Sequence, residues 1–596
     1  MSKYEKDLRN INSEYHSISS KCNMLSNLRL LCALIGIVSF IVSVVDKRKD
    51  TFFVFIFLSI LFFLLLLFHE SIKEKKDYIF AKQKVLEKRD NRLQDLWSEF
   101  EDKGNDFITK ESSVEIDLDI FGENSLYQYL CVANTYEGRK ILASYLQNTN
   151  FDKKTLCKRQ KAVQELIERE DLSVEIETLS TRIALNSRSY VKEWYNSFIK
   201  YLNKKDRLIS YFISIGAVIL TCFMLILLAL QIRGYQVLNI IGVLGVFQLI
   251  CAYYVSYKSK KVTRNIYNFC LNINGYYNLI KCIENANFKS EYLKVLNNKL
   301  KGTNKTVVGI KKLNYVNDAF SLQTNPYIHI FLQLFFLYDI HCISYLERWK
   351  RKFGENMTDL FKIIGEVEAL LSLSVLAANQ SITFPEFVES DNVIFEVDLI
   401  THPLISLQDV VSNSFYTKKG ISIITGSNMS GKTTFMRTVG INAILAYAGA
   451  PVCAENMRIS FMKIFTSMRV QDDVSKGLSS FYAEVLRIKE VVENLEKKNP
   501  MLVLIDEIFK GTNSTDRIVG AKEIIKTLNK DYVITLVSTH DFELCSLVEQ
   551  REITGFNYHF EEYYRTDKIY FDYKIKQGKC KTKNAVHILR MAGLMK

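Results

Sequence analysis

The 596 residues are 48% hydrophobic and 24% charged, with a mean hydropathy of +0.01: too long for one core and too apolar for a disordered chain. Lys and Arg outnumber Asp and Glu by 78 to 65, a net charge of +13 that suits anionic partners such as nucleotide, nucleic acid or lipid headgroups, and equally an ordinary basic surface. With 5 prolines, and 12 cysteines that form no C-x-x-C pair or short His/Cys cluster of zinc spacing, the chain reads as largely helical with reduced thiols.

The near-zero hydropathy averages very different segments. Leu30 to Val45 and Phe52 to Phe68 lack charge and are joined by the basic turn Asp46-Lys47-Arg48-Lys49-Asp50. Leu208 to Ile232 and Val237 to Tyr257 form a second such pair, joined around Arg233 and Gly234. A spanning helix needs roughly 20 predominantly apolar residues, so the first pair is marginal in length and the second sufficient. Buried core helices are the alternative. Two membrane hairpins would leave the N-terminus, residues 70–207 and everything after 258 on one side. Lys73, Lys75, Lys76, Lys82 and Lys84, then Lys258, Lys260, Lys261 and Arg264, flank the spans on that side, which is therefore expected to be cytoplasmic in a multi-pass protein of the cell membrane.

Between the hairpins, Ile79, Leu86, Leu93, Leu96 and Trp97 recur at helical spacing within dense charge, predicting a helix that leaves the membrane. The pattern stays helical over about 115–206 and 259–380, and the apolar run Ile328 to Tyr338, too short to span, reads as a core helix. Near residue 393 the texture changes. Short β-type runs, Val393 to Val397, Ile421 to Thr425, Met501 to Ile505 and Tyr532 to Ser538, alternate with turns and helices, the pattern of an α/β domain on a mostly parallel sheet. The expected architecture is multidomain: residues 1–110 as a transmembrane hairpin and charged helix, 111–390 as a mainly α-helical core with the second hairpin, and 391–596 as an α/β domain.

The strongest chemical signal is Gly426-Ser427-Asn428-Met429-Ser430-Gly431-Lys432-Thr433, followed by Thr434, a G-x-x-x-x-G-K-[ST] string between a predicted strand and a helix. Backbone N–H groups of such a loop cradle phosphate oxygens; Lys432 would reach the β and γ phosphates of ATP and Thr433 would ligate Mg2+. Asp506 and Glu507 end a five-residue apolar run. Asp506 can hold magnesium, and Glu507 can orient or deprotonate the attacking water. An acidic pair here could instead serve only a helix N-terminus. His540, in Ser538-Thr539-His540-Asp541, follows a third strand, where ligands bind in open α/β sheets, and could sense the γ-phosphate or position water.

Thr425 to Glu455, Gln471 to Glu484, the string DEIFKGTNSTDR at 506–517 and STHDFEL at 538–544 resemble, in order, the ATPase domain of the MutS mismatch-repair family. The resemblance extends more weakly to 117–170, and is nearest to the membrane-bound MutS-like group without the mismatch-reading front end. It implies an ABC-type ATPase acting as a homodimer, with Ser479 reaching the partner's γ-phosphate, Asn428 in the phosphate loop, Asp516 in a partner-facing loop, and residues 584–594 as a helical end packing across the dimer. It also implies DNA, including mismatched DNA, as a partner in DNA mismatch repair. The competing expectation is a membrane-associated mechanochemical or signalling ATPase that does not touch DNA. The chain departs from the family at Ser427, usually proline, and at Phe509-Lys510, usually Gly-Arg; no adenine-stacking aromatic is identifiable before Ile421. The family's Phe-x-Glu mismatch motif recurs along the chain, at Phe121, Phe353, Phe384, Phe387 and Phe560 among other places, in unrelated contexts, so it carries no information here.

Overall fold

The computed structural model describes residues 3–109, 112–148, 152–186, 192–204, 211–270, 273–302, 308–313, 326–378, 381–389, 392–469, 480–510, 513–565 and 568–580. The chain opens with an antiparallel pair, α1 (Glu5–Asp46) and α2 (Lys49–Leu93). At 1.5 Å per residue each runs on the order of 65 Å, about twice the hydrocarbon thickness of a bilayer. The five-residue basic turn expected between them shrinks to Lys47 and Arg48, with Lys47 in the left-handed region at φ 51°. The distal halves turn apolar residues outward, Val45 being 72% and Phe53 67% exposed, whereas the proximal halves bury Tyr4, Ile11, Ile18, Ile79 and Leu86 against one another.

Helices α3 (Ser113–Asp117), α4 (Leu126–Leu130), α5 (Tyr136–Leu146), α6 (Lys153–Glu168), α7 (Glu170–Asn186), α8 (Lys192–Asn203), α9 (Tyr211–Ile232), α10 (Leu238–Cys270), α11 (Ile273–Asn285), α12 (Glu291–Gly302), α13 (Pro326–Phe336) and α14 (Tyr338–Ser374) follow. The proximal end of α2 docks on α7, where Arg89 donates to Glu177 at 2.7 and 3.0 Å. Among the described residues, four helices are long and apolar enough to cross a membrane: α1, α2, α9 and the Leu238–Tyr257 part of α10.

The run at 328–338 extends further than its length in the sequence suggested. Its helix α13 and the start of α14 meet at an 81° bend, pass the same length and apolarity criteria together, and pack on α9 and α10. Leu337, at φ 46°, makes the bend and is buried with Ala217, Ala252, Val255, Ile340 and Ile343, while Ile330 and Phe331 face outward. The apolar stretch continues past the bend into α14, which is why its length within one helix was misleading.

The 37-residue helix α14 then carries the chain to the α/β region and crosses α5 at very close range. A Cβ on Gly365 would lie 2.9 Å from the backbone N of Gly138. Beside this contact Glu368, fully buried, accepts from the backbone N–H groups of Asn134 and Thr135 at 3.1 and 3.2 Å and from the hydroxyls of Thr135 and Ser180. It thereby satisfies donors at the start of α5 that would otherwise be orphaned. Burial pushes its pKa up, against the hydrogen bonds it receives.

Two sheets build the C-terminal region. Strands β1 (Glu386–Phe387), β2 (Phe395–Ile400), β3 (Asn413–Thr417) and β5 (Asn456–Ile459) form a mixed sheet in the order β1-β5-β2-β3. The larger sheet runs β12-β9-β4-β8-β7-β6, from β4 (Gly420–Thr425), β6 (Lys463–Ser467), β7 (Met501–Asp506), β8 (Val533–Thr539), β9 (Gly555–His559) and β12 (Lys576–Gln577). It is parallel except for β12, as its apolar strands led us to expect. A hairpin of β10 (Glu562–Arg565) and β11 (Lys568–Phe571) projects after β9. Helix α15 (Lys432–Ala448) lies between one face of the large sheet and α5, and α16 (Ser480–Leu495) and α17 (Ser514–Leu528) cover the other face.

A side chain at the α5–α14 crossing should be costly. Gly365→Val is expected to destabilise the protein by about 1–3 kcal/mol through overpacking against backbone, seen as a lower midpoint in thermal or denaturant unfolding; an unchanged midpoint would mean that the helices separate freely at this point.

Candidate functional site

The site begins where β4, buried along its whole length, ends at Thr425. Gly426 has φ 150° and a Cβ there would come 2.8 Å from the carbonyl O of Phe560; Gly431 has φ 108° and caps α15. Both positions exclude a side chain, so the loop can curl tightly and aim the first N–H groups of α15 inward. Lys432 is buried, and its ammonium donates to the carbonyls of Gly426 at 2.9 Å and Ser427 at 2.8 Å. Burial lowers its pKa, opposed by the charges of Asp506, Glu507 and Glu562. The Ser430 hydroxyl is buried without a hydrogen-bond partner, an orphan that a phosphate oxygen would satisfy. The loop therefore fits a phosphate chain.

Thr433 and Asp506 meet as the sequence suggested: the Thr433 hydroxyl donates to Asp506 at 2.6 Å, and the Ser538 hydroxyl donates to the other carboxylate oxygen. This is a hard-oxygen pair suited to Mg2+. Glu507, at φ 55°, turns out of the sheet; its N–H bonds the Ser538 carbonyl at 3.1 Å. Its carboxylate lies 3.0 Å from His540 Nε2 and 2.6 Å from Lys510 Nζ, and His540 Nε2 also lies 2.7 Å from Asn428 Oδ1. Burial pushes the Glu507 pKa up, but Lys510 and then His540 outweigh it and hold the group below its ordinary value. It is thus a carboxylate at neutral pH, able to accept a hydrogen bond from water.

Phe509, standing where the resemblance expects glycine, also sits in the left-handed region at φ 58°. Two such residues within three positions cost on the order of 1 kcal/mol or more each, strain that surrounding contacts must hold. Glu484 of α16 supplies one, accepting from the Phe509 N–H at 2.5 Å, and the Phe481 ring packs 5.8 Å from that of Phe509. The sequence reading missed Glu484, because nothing local marks a helix-borne acid as an anchor for a distant turn.

The loop opens into a cavity of about 450 Å³, within the range of nucleotide-sized pockets. Asn428, Met429, Ser430, Gly431, Lys432, Thr433, Thr434 and Glu507 line one end; His402, Ile405, Val410, Val411 and Tyr573 line the other. Tyr573, an aromatic in the cavity wall, arrives from beyond β11, with its carbonyl held by the Asn413 side chain at 3.0 Å. Asp516 is not in a loop but in the first turn of α17, its N–H capped by Asn513 at 2.9 Å. Ser479 and residues 584–594 lie outside the described residues.

The weaker resemblance at 117–170 has a physical counterpart. Asp117, with no exposed surface, accepts from the N–H groups of Met468 and Arg469, both at 3.0 Å, and from Arg487. Asp119 accepts from Arg437 of α15 at 2.8 Å and from Arg469. The helical core is therefore bolted to residues on either side of 470–479 and to the helix behind the phosphate loop.

A glycine loop between a buried strand and its helix, with a threonine–aspartate pair and a glutamate–histidine pair at the ends of neighbouring parallel strands, defines a P-loop α/β domain. Residues 422–596 match the family MutS domain V. Proteins named DNA mismatch repair protein MutS are similar to the C-terminal part: that of Aquifex pyrophilus is 32% identical over 250 residues, 41% of this chain and 28% of the relative. That of Bacillus licheniformis is 32% identical over 253 residues, again 41% and 28%, and that of Streptococcus agalactiae 30% identical over 247 residues, 40% and 28%. The C-terminal region thus carries a MutS domain V, while the chain spans little more than a quarter of the length of these relatives.

His402, in the cavity wall, is depressed to about 4 by burial and then by Arg437. Its unfolded pKa is near 6.5, so the unfolded chain binds more protons between those values. Its contribution to stability is complete above pH 6.5 and is lost as pH falls towards 4. Melting temperatures of wild type and His402→Asn at pH 7 and 4.5 should show a smaller pH-dependent drop in the variant; equal drops would mean that His402 is protonated at no cost in the folded state.

Proposed function

We propose that this chain is a membrane-anchored MutS-family ATPase, which binds ATP with Mg2+ and hydrolyses it at a dimer interface and whose partner is DNA, including mismatched DNA. The observation that carries the reading is the joining of Lys432, Thr433–Asp506 and Glu507–His540–Asn428 around one cavity. Lys432 exchanges its two loop carbonyls for phosphate oxygens. Thr433 and Asp506 would hold magnesium, which neutralises phosphate charge when bound. Glu507 orients the attacking water, and His540 keeps Glu507 and Asn428 facing the site. Ser479 acts from the partner subunit. The apolar faces of α1, α2, α9 and α10 support anchoring in the cell membrane, and the Lys and Arg residues flanking the spans on the side of the α/β domain support its place in the cytoplasm. DNA enters through the printed names of the relatives, and a surface with net charge +13 is compatible with phosphate contacts.

One packing feature favours a second reading, in which hydrolysis moves the membrane helices without DNA. Helix α15 packs on α5, α5 on α14, and α14 on α9 and α10, giving a continuous solid path from the phosphate loop to the second hairpin.

The detergent-solubilised protein decides between them. ATPase activity stimulated by mismatched or branched duplexes, with binding that falls steeply with salt, supports the first; no stimulation and no salt-sensitive binding removes DNA from the proposal. Lys432→Ala should lose nucleotide binding. Glu507→Gln should keep it while turnover falls by roughly 100-fold or more, and hydrolysis persisting in that variant would give the role of base to another group. Mixing an inactive Ser479→Ala variant with Lys432→Ala should restore part of the activity if Ser479 acts across the dimer.

A further inference from the structure

The substitution of serine for the loop's usual proline has a partner in space. The Ser427 hydroxyl donates to the carboxylate of Glu562, which is only 6% exposed. Glu562 opens β10 two residues after Phe560, and Phe560 is fixed to the loop: its N–H bonds the Thr425 carbonyl at 3.0 Å and its own carbonyl abuts Gly426. Glu562 is thus pinned beside the phosphate loop by backbone as well as by Ser427. Asp506 and Glu507 already supply the carboxylates that metal and water require. Glu562 is a third, on the Ser427 side of the loop, and its charge reaches Lys432.

A fixed anion beside a phosphate cradle repels each phosphate charge that enters, and inside a partly desolvated loop that repulsion is only weakly screened. Metal-free ATP carries more negative charge than its magnesium complex, so the repulsion falls hardest on the metal-free form. We propose that Glu562 is a specificity-determining residue of the nucleotide site: its carboxylate, seated by Ser427, weakens polyphosphate binding in proportion to charge and makes tight binding depend on magnesium. The inference rests on the reading of this cavity as an ATP site.

Binding of ATP, ADP and AMP to the full-length solubilised protein, with Mg2+ or with EDTA and at two salt concentrations, tests it. Glu562→Gln keeps the size of the side chain and an acceptor for Ser427. It should bind ATP in EDTA about three- to tenfold more tightly than wild type, with a smaller gain for the magnesium complex, a gain falling from ATP to ADP to AMP, and a loss of the gain at high salt. Ser427→Ala, which keeps the charge and leaves Glu562 held by the backbone through Phe560, should gain less than Glu562→Gln. Equal or weaker binding by Glu562→Gln, a gain indifferent to phosphate number or salt, or the same gain in Ser427→Ala overturns the proposal. Failure of wild type and variants alike to bind any nucleotide removes the ATP reading itself, and this inference with it; a Glu562→Gln protein that no longer melts cooperatively shows the carboxylate to be structural, which also overturns it.

Discussion

A buried ammonium group sets the terms for everything around it. Lys432 is withdrawn from water at the first position of α15, and a charge so placed must be matched by oxygen atoms that are themselves held in position. The Gly426 and Ser427 carbonyls do this directly, which requires a loop that curls back on itself, which in turn requires glycine where Phe560 and Tyr573 press closest. Asp506, Glu507 and Glu562 do it through space, and that requires β9 to end beside β4 and β7 to end one strand further on, beyond β8. The parallel order β9-β4-β8-β7 is the arrangement that brings those strand ends together, so the sheet and the site answer the same electrostatic demand.

The loop and the acidic pair were legible because their signals are local. A glycine string, a lysine and an apolar strand tell the same story over fewer than fifteen residues, and β4, β7 and β8 lie within two residues of the predicted runs. What was not legible depends on meetings between distant segments. Tyr573 reaches the cavity only because β9 and β12 pair antiparallel and lead the chain back past Asn413. Glu484 and Glu562 look like surface acids on a helix and a strand, and only packing reveals that each touches the loops around the site. The extent of the 328–338 run was hidden for a different reason: apolar length was counted within one helix, and a bend at Leu337 let the apolar surface continue into the next.

Strain and its restraint are concentrated at Glu507 to Lys510. Glu507 and Phe509 both occupy the left-handed region, where non-glycine residues are disfavoured, and neither can relax while the Ser538 backbone holds one and Glu484 the other. Because Glu484 belongs to α16, and Arg487 of the same helix is tied to Asp117, the turn that aims Glu507 is mechanically continuous with the helical core. The Lys510 ion pair adds an electrostatic restraint, holding Glu507 ionised and turned towards His540.

The same logic extends outward along α14. A helix transmits displacement only if its contacts are stiff, and the α5–α14 crossing is stiff because glycine on both sides lets backbone touch backbone while buried Glu368 ties the start of α5 to the middle of α14. At its other end α14 begins at the Leu337 bend, inside the apolar cluster with α9 and α10. A shift of α15 when the phosphate loop fills would therefore reach α14 through a contact with almost no slack. It would emerge at the pair of helices whose outward faces are the most apolar of the helical core. The first hairpin differs: its proximal half is held to α7 by Arg89 and Glu177, and so joins the helical core through a contact other than the α5–α14 crossing.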